Sequence, residues 1–296
     1  MRIFLTGGTG YIGEHIVLEL LRGGHEITLL SRDPGRLPDL DGVNVLKGSV
    51  EDFDLVRSAL AGHQACIHNA IVWGDGDTDL ELRDVRASAA LFDAAGRSGV
   101  QHIVYTSSTA VHRPFRPNMN EKDPLAATDM YSATKVMGET LLSAMSHKYP
   151  MQCNVIRPGP VIGLPAFKGF PVHCDRRFRD YLAAAQTNEP IIVENDARQF
   201  IDVGDLAKLY AAVIDSDVNR ETYLGVAANS ISWKCIAETI VVVTDSSSAI
   251  VVGEPAPPHS FDVSKIERAF GLRFDTKKAI HDHIEYLASN SNSPAK

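Results

Sequence analysis

Through about its first 160 residues the chain alternates short apolar runs with stretches whose apolar residues recur at helical spacing. Residues 1–5 are mostly apolar and read as a buried strand. Residues 14–22 place Ile16, Val17, Leu20 and Leu21 at helical spacing. Further strands are expected at 26–30, 43–46, 65–69, 101–106 and 153–156. Helices are expected from 55–60, over the alanine-rich stretch 80–97, and over 130–147. Alternation of this kind predicts an α/β fold, a doubly wound parallel sheet with helices on both faces. From Gly163 the pattern changes: proline and glycine become common, and short strands and helices are mixed.

The first strand and helix are joined by Thr6-Gly7-Gly8-Thr9-Gly10-Tyr11-Ile12-Gly13. Gly7 and Gly10 permit a tight turn and let backbone N–H groups approach a pyrophosphate. Gly13 lets the helix lie close to the strand, and phosphate charge then sits at the helix N-terminus. Glycine spacing alone also fits an ordinary turn, but between a strand and a helix it predicts dinucleotide binding. The expected organisation is a Rossmann dinucleotide-binding domain at 1–162 and a smaller α/β substrate-binding portion at 163–288, interleaved with the first. A polar tail at 289–296 is expected to fray.

Composition narrows the partners. A net charge of −8 with no basic stripe argues against nucleic-acid binding. No apolar run approaches the ~20 residues that span a bilayer, so no membrane is expected. The N-terminus reads as a core strand, not as a signal peptide. Cys66, Cys153, Cys174 and Cys235 are scattered without a CxxC pair, as expected of reduced thiols in a cytoplasmic protein. The histidines show no zinc spacing, and no metal site is expected.

The end of the second strand bears on the choice of cofactor. An acidic residue there would accept hydrogen bonds from ribose hydroxyls, but the chain reads Leu30-Ser31-Arg32, with Arg36 nearby. A serine donates to a 2′-phosphate and an arginine binds it as a charge-assisted fork, so NADP is expected over NAD. Asp33 would become the ribose ligand if the strand ended later, and a solvated turn is the plain alternative.

A second constellation follows strand five. Tyr105-Thr106-Ser107-Ser108 ends the strand, where such sheets place ligands. Tyr131 and Lys135 then stand four apart and share one face of a helix. A nearby ammonium would lower the phenol pKa from ~10. Ser108 could hold a substrate oxygen beside the phenol, giving a trio that moves a proton while a nicotinamide moves a hydride.

In this order the motifs resemble those of the extended short-chain dehydrogenase/reductases, of the NAD-dependent epimerase/dehydratase kind, over nearly the whole chain. The glycine turn, the Ser108 strand end and Tyr131-Ser132-Ala133-Thr134-Lys135 each match. Arg157-Pro158-Gly159-Pro160-Val161-Ile162-Gly163 is similar to the segment that borders the nicotinamide. Arg198-Gln199-Phe200-Ile201-Asp202-Val203-Gly204-Asp205 is similar to one near the substrate, and Asp262-Val263-Ser264-Lys265 with Phe270-Gly271 to the C-terminal helix entry. The resemblance implies a catalytic trio of Ser108, Tyr131 and Lys135. It implies cofactor contacts at Gly48-Ser49-Val50 and Asn69-Ala70-Ile71, as well as at Thr106, Pro158, Gly159 and Val161.

Departures from the family pattern are informative. Ser31 stands where the family has its acid, Ser49 where an aspartate contacts adenine, Asp84 where a helix carries asparagine, and His112 where a tyrosine follows the serine strand. Ser108-Thr109-Ala110 lacks the acid pair of the sugar dehydratases, so dehydration is not expected. Trp73, Thr109, His112 and Arg198 are substrate-contact candidates, with His173, Arg176 and Arg177 behind them. Packed pairs of helices 80–97 and 130–147 predict a homodimer. The expected function is an NADPH-dependent reductase of a carbonyl/alcohol pair. The alternatives are a nucleotide-sugar epimerase with tightly bound NAD(P) and an NADP-sensing protein without turnover.

Overall fold

The computed structural model describes residues 1–72, 79–170 and 172–290, with the backbone alone at 79–81. The first half runs β1 (Arg2–Thr6), α1 (Tyr11–Arg22), β2 (Glu26–Ser31), β3 (Val43–Lys47), α2 (Phe53–Ala59), β4 (Ala65–His68), α3 (Asp79–Arg97), β5 (His102–Thr106), α4 (Met130–Lys148) and β6 (Gln152–Pro158). Then come β7 (Val161–Ile162), α5 (Arg176–Gln186), β8 (Ile191–Asn195), β9 (Ala197–Arg198), β10 (Ile201–Asp202), α6 (Val203–Ile214) and β11 (Thr222–Gly225). The chain closes with β12 (Ile231–Ser232), α7 (Trp233–Val243), β13 (Ile250–Pro255), α8 (Ser264–Phe270) and α9 (Lys277–Ser289). The predicted strands and helices of the first half are all present. α1 begins three residues earlier than its apolar spacing suggested, because Gly10 already serves as N-cap.

Among the described residues, seven parallel strands form one sheet in the order β3-β2-β1-β4-β5-β6-β11. Strand order reverses between β1 and β4, which opens a crevice at their carboxyl ends. Both faces are covered, as an all-parallel sheet requires. Ile3 and Leu5 point to one side, where α1 and α6 contribute Ile16, Val17, Leu20, Leu206, Leu209 and Val213. Phe4 points to the other, into a core with Leu91 and Phe92 of α3 and Leu142 of α4. A third core belongs to the C-terminal portion, where Phe178, Phe200 and Trp233 meet edge to face.

The strand β11 joins the main sheet from beyond residue 163, and α6 covers the same face as α1. The two portions are therefore woven together. α3 and α4 pack on one another, and Leu91, Ala94 and Leu142 are consumed within the subunit. Leu82 (74% exposed), Met130 and Met137 remain on the outside. Ser289, where a frayed tail was expected to start, is the last residue of α9, and residues 291–296 lie outside the described part.

Residues 163–170 cross the N-terminal end of α1 as a strap. Three side chains of the helix reach its backbone. The Tyr11 hydroxyl donates to Gly163 O at 3.0 Å, His15 Nε2 donates to Leu164 O at 2.9 Å, and Glu14 Oε1 accepts from Ala166 N–H at 3.0 Å.

Candidate active site

A cleft of about 860 Å³ follows the crevice at the carboxyl ends of the strands. At its centre, Gly7 takes φ +76°, and a Cβ there would come 2.6 Å from Ala70 N. A Cβ on Gly13 would come 2.0 Å from Gly7 O, so this glycine serves helix–turn packing and does not line the cleft. No side chain caps α1 at Gly10. The N–H groups of its first turn are thus left for an anion, in a cradle that side chains would fill. The residues present fit a dinucleotide. Of the residues expected to hold one, all but Gly13 line the cleft.

At one end lie Ser31, Arg32, Gly48, Ser49 and Val50. Ser31 is the last residue of β2, and its Oγ donates to Asp33 O and accepts from Asp33 N–H, at 2.9 and 3.1 Å. This closes the backbone into a local turn. Asp33, the alternative ribose ligand, is not among the residues that line the cleft. Arg32 is exposed at the rim, and the Arg36 guanidinium lies 5.6 Å from the centre of the Phe170 ring. Glu51, which sequence reasoning did not single out, also borders this end. Arg83 holds its carboxylate with two hydrogen bonds of 2.8 and 2.7 Å and keeps it below the usual range.

At the other end the catalytic candidates converge. A capping box of Asp129 and Ser132 fixes the start of α4, so Tyr131 and Lys135 sit one turn apart beneath the end of β5. The Ser108 hydroxyl hydrogen-bonds the Tyr131 side chain and accepts from Ala110 N–H at 3.1 Å. Lys135 is buried. Its Nζ donates to Thr106 O at 3.1 Å and lies 5.9 Å from the Tyr131 ring centre. The expectation that Lys135 lowers the Tyr131 pKa is not met. Burial pushes the phenol above its ordinary value, and Asp84 and Asp129 add to this. The Ser108 hydrogen bond and Arg113 oppose it. Burial also pushes the Lys135 ammonium down, against the pull of Asp84 and Glu139.

The support beneath the trio is a set of long-range polar contacts. Thr106 Oγ1 donates to Asn69 Oδ1 at 3.0 Å and meets the Tyr210 hydroxyl at 2.6 Å. Arg157 clamps Glu139 through Nε and Nη2 at 2.9 and 2.6 Å, while the Ser107 hydroxyl donates to the same carboxylate at 2.5 Å. Glu139 lies one helical turn beyond Lys135, a spacing that could have flagged it.

The substrate candidates fare differently. His112 is buried away from the cleft, where Arg157 Nη1 donates to its Nε2 at 2.9 Å. Burial first, and Arg157 second, lower it to about 4, so the ring is neutral. Thr109 is buried in the short turn after Ser108 and does not reach the cleft either. Arg198 is taken up by Asp196 at 2.9 Å and His259 at 2.6 Å. Arg176 pairs with Asp180 at the surface, and Arg177 with Asp175 and Glu194 while stacking on Trp233 at 3.9 Å. Trp73 lies outside the described residues. His173, with Cys174 and Asp175 beside it, does border the cleft. Asp175 could have been read as the N-cap ahead of α5.

Comparison with known proteins gives the following. A family model described as the NAD dependent epimerase/dehydratase family matches residues 3–224. Over 175 residues the chain is 31% identical to the 3 beta-hydroxysteroid dehydrogenase/Delta 5→4-isomerase of Mycobacterium tuberculosis, covering 55% of this chain and 47% of that protein. Cinnamoyl-CoA reductase 1 of Oryza sativa subsp. japonica is 26% identical over 244 residues, 75% of this chain and 70% of that one. A solved UDP-glucose 4-epimerase superposes over 100% of both chains with a TM-score of 0.83 at 19% identity, a likeness of fold. The chain spans about half the length of the hydroxysteroid dehydrogenase it matches.

Proposed function

From the premise that the chain belongs to the NAD-dependent epimerase/dehydratase family, we propose that it is an NADPH-dependent reductase of a carbonyl compound. The observation that carries this reading is the convergence of Ser108, Tyr131 and Lys135 on the strand-end limit of the cleft, with the Lys135 Nζ 5.9 Å from the Tyr131 ring centre. A reductase needs a proton donor there, and a phenol, whose ordinary value is about 10, holds its proton at neutral pH.

In this reading a reduced nicotinamide, when bound, would supply the hydride for the carbonyl carbon. Ser108 orients the carbonyl oxygen. Tyr131 gives that oxygen its proton as the C=O π pair moves onto it, leaving a phenolate that solvent reprotonates. Lys135 would hold the nicotinamide ribose. Gly7, Gly10 and the uncapped turn of α1 would hold the pyrophosphate, and Pro158 and Gly159 would border the ring. Arg32 would select the 2′-phosphate of NADP over the bare ribose of NAD, while the one hydroxyl proton of Ser31, expected to serve there too, is donated to Asp33 O instead. We place a second copy of the chain against the exposed residues of α3 and α4 as a homodimer.

The test is absorbance at the reduced-nicotinamide band while carbonyl compounds and nucleotide sugars are offered separately. Net NADPH consumption with a carbonyl compound is expected. An isomerised sugar without net consumption would assign an epimerase instead, and binding without either would leave a cofactor sensor.

A further inference from the structure

Thr106 ends β5, and its backbone and side chain serve different neighbours. Its carbonyl accepts from Lys135 Nζ at 3.1 Å. Its Oγ1 donates to Asn69 Oδ1 at 3.0 Å and meets the Tyr210 hydroxyl at 2.6 Å. Asn69 Nδ2 in turn donates to Gly7 O in the glycine turn, at 3.4 Å. Lys135, Thr106, Asn69 and Gly7 all line the cleft. Tyr210 does not. It is a fully buried core residue of α6, 104 positions further along the chain than Thr106.

The polarity of this chain of hydrogen bonds follows from its last member. Gly7 O can only accept, and it also accepts the Gly10 N–H at 3.1 Å. The Asn69 amide must therefore turn its NH2 toward Gly7, since its oxygen there would face another oxygen. Asn69 Oδ1 is then left facing Thr106 and needs a donor. A threonine hydroxyl carries one proton, and Thr106 gives it to Asn69. Tyr210 must then supply the proton of the remaining contact, and its phenol, with an ordinary value of about 10, has one to give at neutral pH. One N–H of the Asn69 amide is left without a partner among the described residues, on the cleft wall beside the glycine turn.

We propose that Thr106 is a positioning residue of the cofactor cradle: its hydroxyl, oriented by Tyr210, holds the Asn69 amide so that the remaining N–H faces a bound dinucleotide as a donor. The family resemblance implies a direct cofactor contact at Thr106. Here its only hydroxyl proton is already given to Asn69, and what the hydroxyl does for the cofactor it does through that amide. Because Tyr210 belongs to α6, a helix of the C-terminal portion sets a donor in the cradle that the first half builds. The inference rests on the dinucleotide reading of the cleft and not on the direction of the chemistry.

The test is a double-mutant cycle, read by calorimetric titration of the full chain with NADP and with NAD. Thr106→Val keeps the β-branched shape and the carbonyl that Lys135 uses, and removes only the hydroxyl. Alone it is expected to weaken the tighter-bound dinucleotide about 3- to 10-fold, the worth of one hydrogen bond. In an Asn69→Ala background, where the amide is already gone, the same change is expected to cost nothing further, because the two side chains act as one unit. Unchanged affinity in Thr106→Val, or losses that multiply when the two changes are combined, overturns the proposal. Thr106→Val leaves the Tyr210 hydroxyl stranded in the core. Should it fail to fold, Thr106→Val combined with Tyr210→Phe takes its place. That protein is expected to regain thermal stability without regaining the lost affinity, and affinity at the parent level overturns the proposal. A parent chain that takes up neither dinucleotide refutes the dinucleotide reading and this inference with it. A chain that behaves as expected but consumes no NADPH with any carbonyl compound upholds the inference and refutes the reductase reading alone.

Discussion

Replacing Tyr131 by Phe deletes one oxygen and leaves the ring that packs at the end of β5. Cofactor affinity should survive while turnover falls by about 10²–10⁴-fold, the usual worth of a general acid. Single-turnover kinetics checks this, and a wild-type rate would place the chemistry elsewhere. At the opposite end, Arg32→Ala should weaken NADP by about 1.5 kcal/mol, the value of a charge-assisted contact at an exposed rim, and leave NAD unchanged. Calorimetric titration of both proteins with both cofactors decides, and equal affinities in the parent chain would remove the NADP assignment. Both positions could be read from the sequence because each depends on a few neighbours along the chain. His112 could not. Its partner Arg157 lies 45 residues away, and a histidine beside a serine strand looks the same whether it faces a cleft or a buried guanidinium. The direction of the Tyr131 shift was hidden for a similar reason: spacing reports the ammonium one turn away but not the burial that pushes the phenol up.

At the scale of elements, the strap across α1 carries a titratable tie. One oxygen of Glu14 accepts from Ala166, and the other is buried without a partner. Burial pushes this carboxyl up to about 7, with Ala166 and Arg36 pulling the other way. Between the ordinary carboxyl value of 4.5 and about 7, the folded chain holds a proton that the unfolded chain has released. Stability from this group is therefore lost as pH rises through that window. Glu14→Gln keeps the acceptor for Ala166 and removes the charge. The substitution should raise the urea midpoint at pH 8 and change it little at pH 5. An equal effect at both pH values would show that the carboxylate is not confined as described. The long strands and helices were legible because apolar residues repeat along them. The strap and the two-residue ladders β7–β10 and β9–β12 were not, since two residues carry no period and a strap is defined by what it lies on.

For the whole molecule, Leu82, Met130 and Met137 are the large apolar residues that, among the described side chains, α3 and α4 leave exposed after packing on each other. Light scattering at micromolar concentration should give about twice the 32.2 kDa chain mass, and a mass near one chain would refute the dimer. Fold class was legible from the alternation of strands and helices. The late return of the chain to its first sheet was not, because β11 is a short run with no sign of which edge it joins. That return has a consequence for synthesis. β6 is complete at Pro158, but β11 and α6, which close its edge and cover one face of the sheet, lie within 203–225. At ribosomal speed the gap between β6 and β11 lasts roughly 3 to 13 seconds. For that interval the nascent sheet offers a bare edge and, on the side where α6 will lie against β5 and β6, exposes Val104 and Ile156 to whatever is nearby. A gene fragment ending at residue 162 would make the same exposure permanent. It should emerge as an aggregate or a chaperone-bound chain, and not as a free-standing nucleotide-binding module.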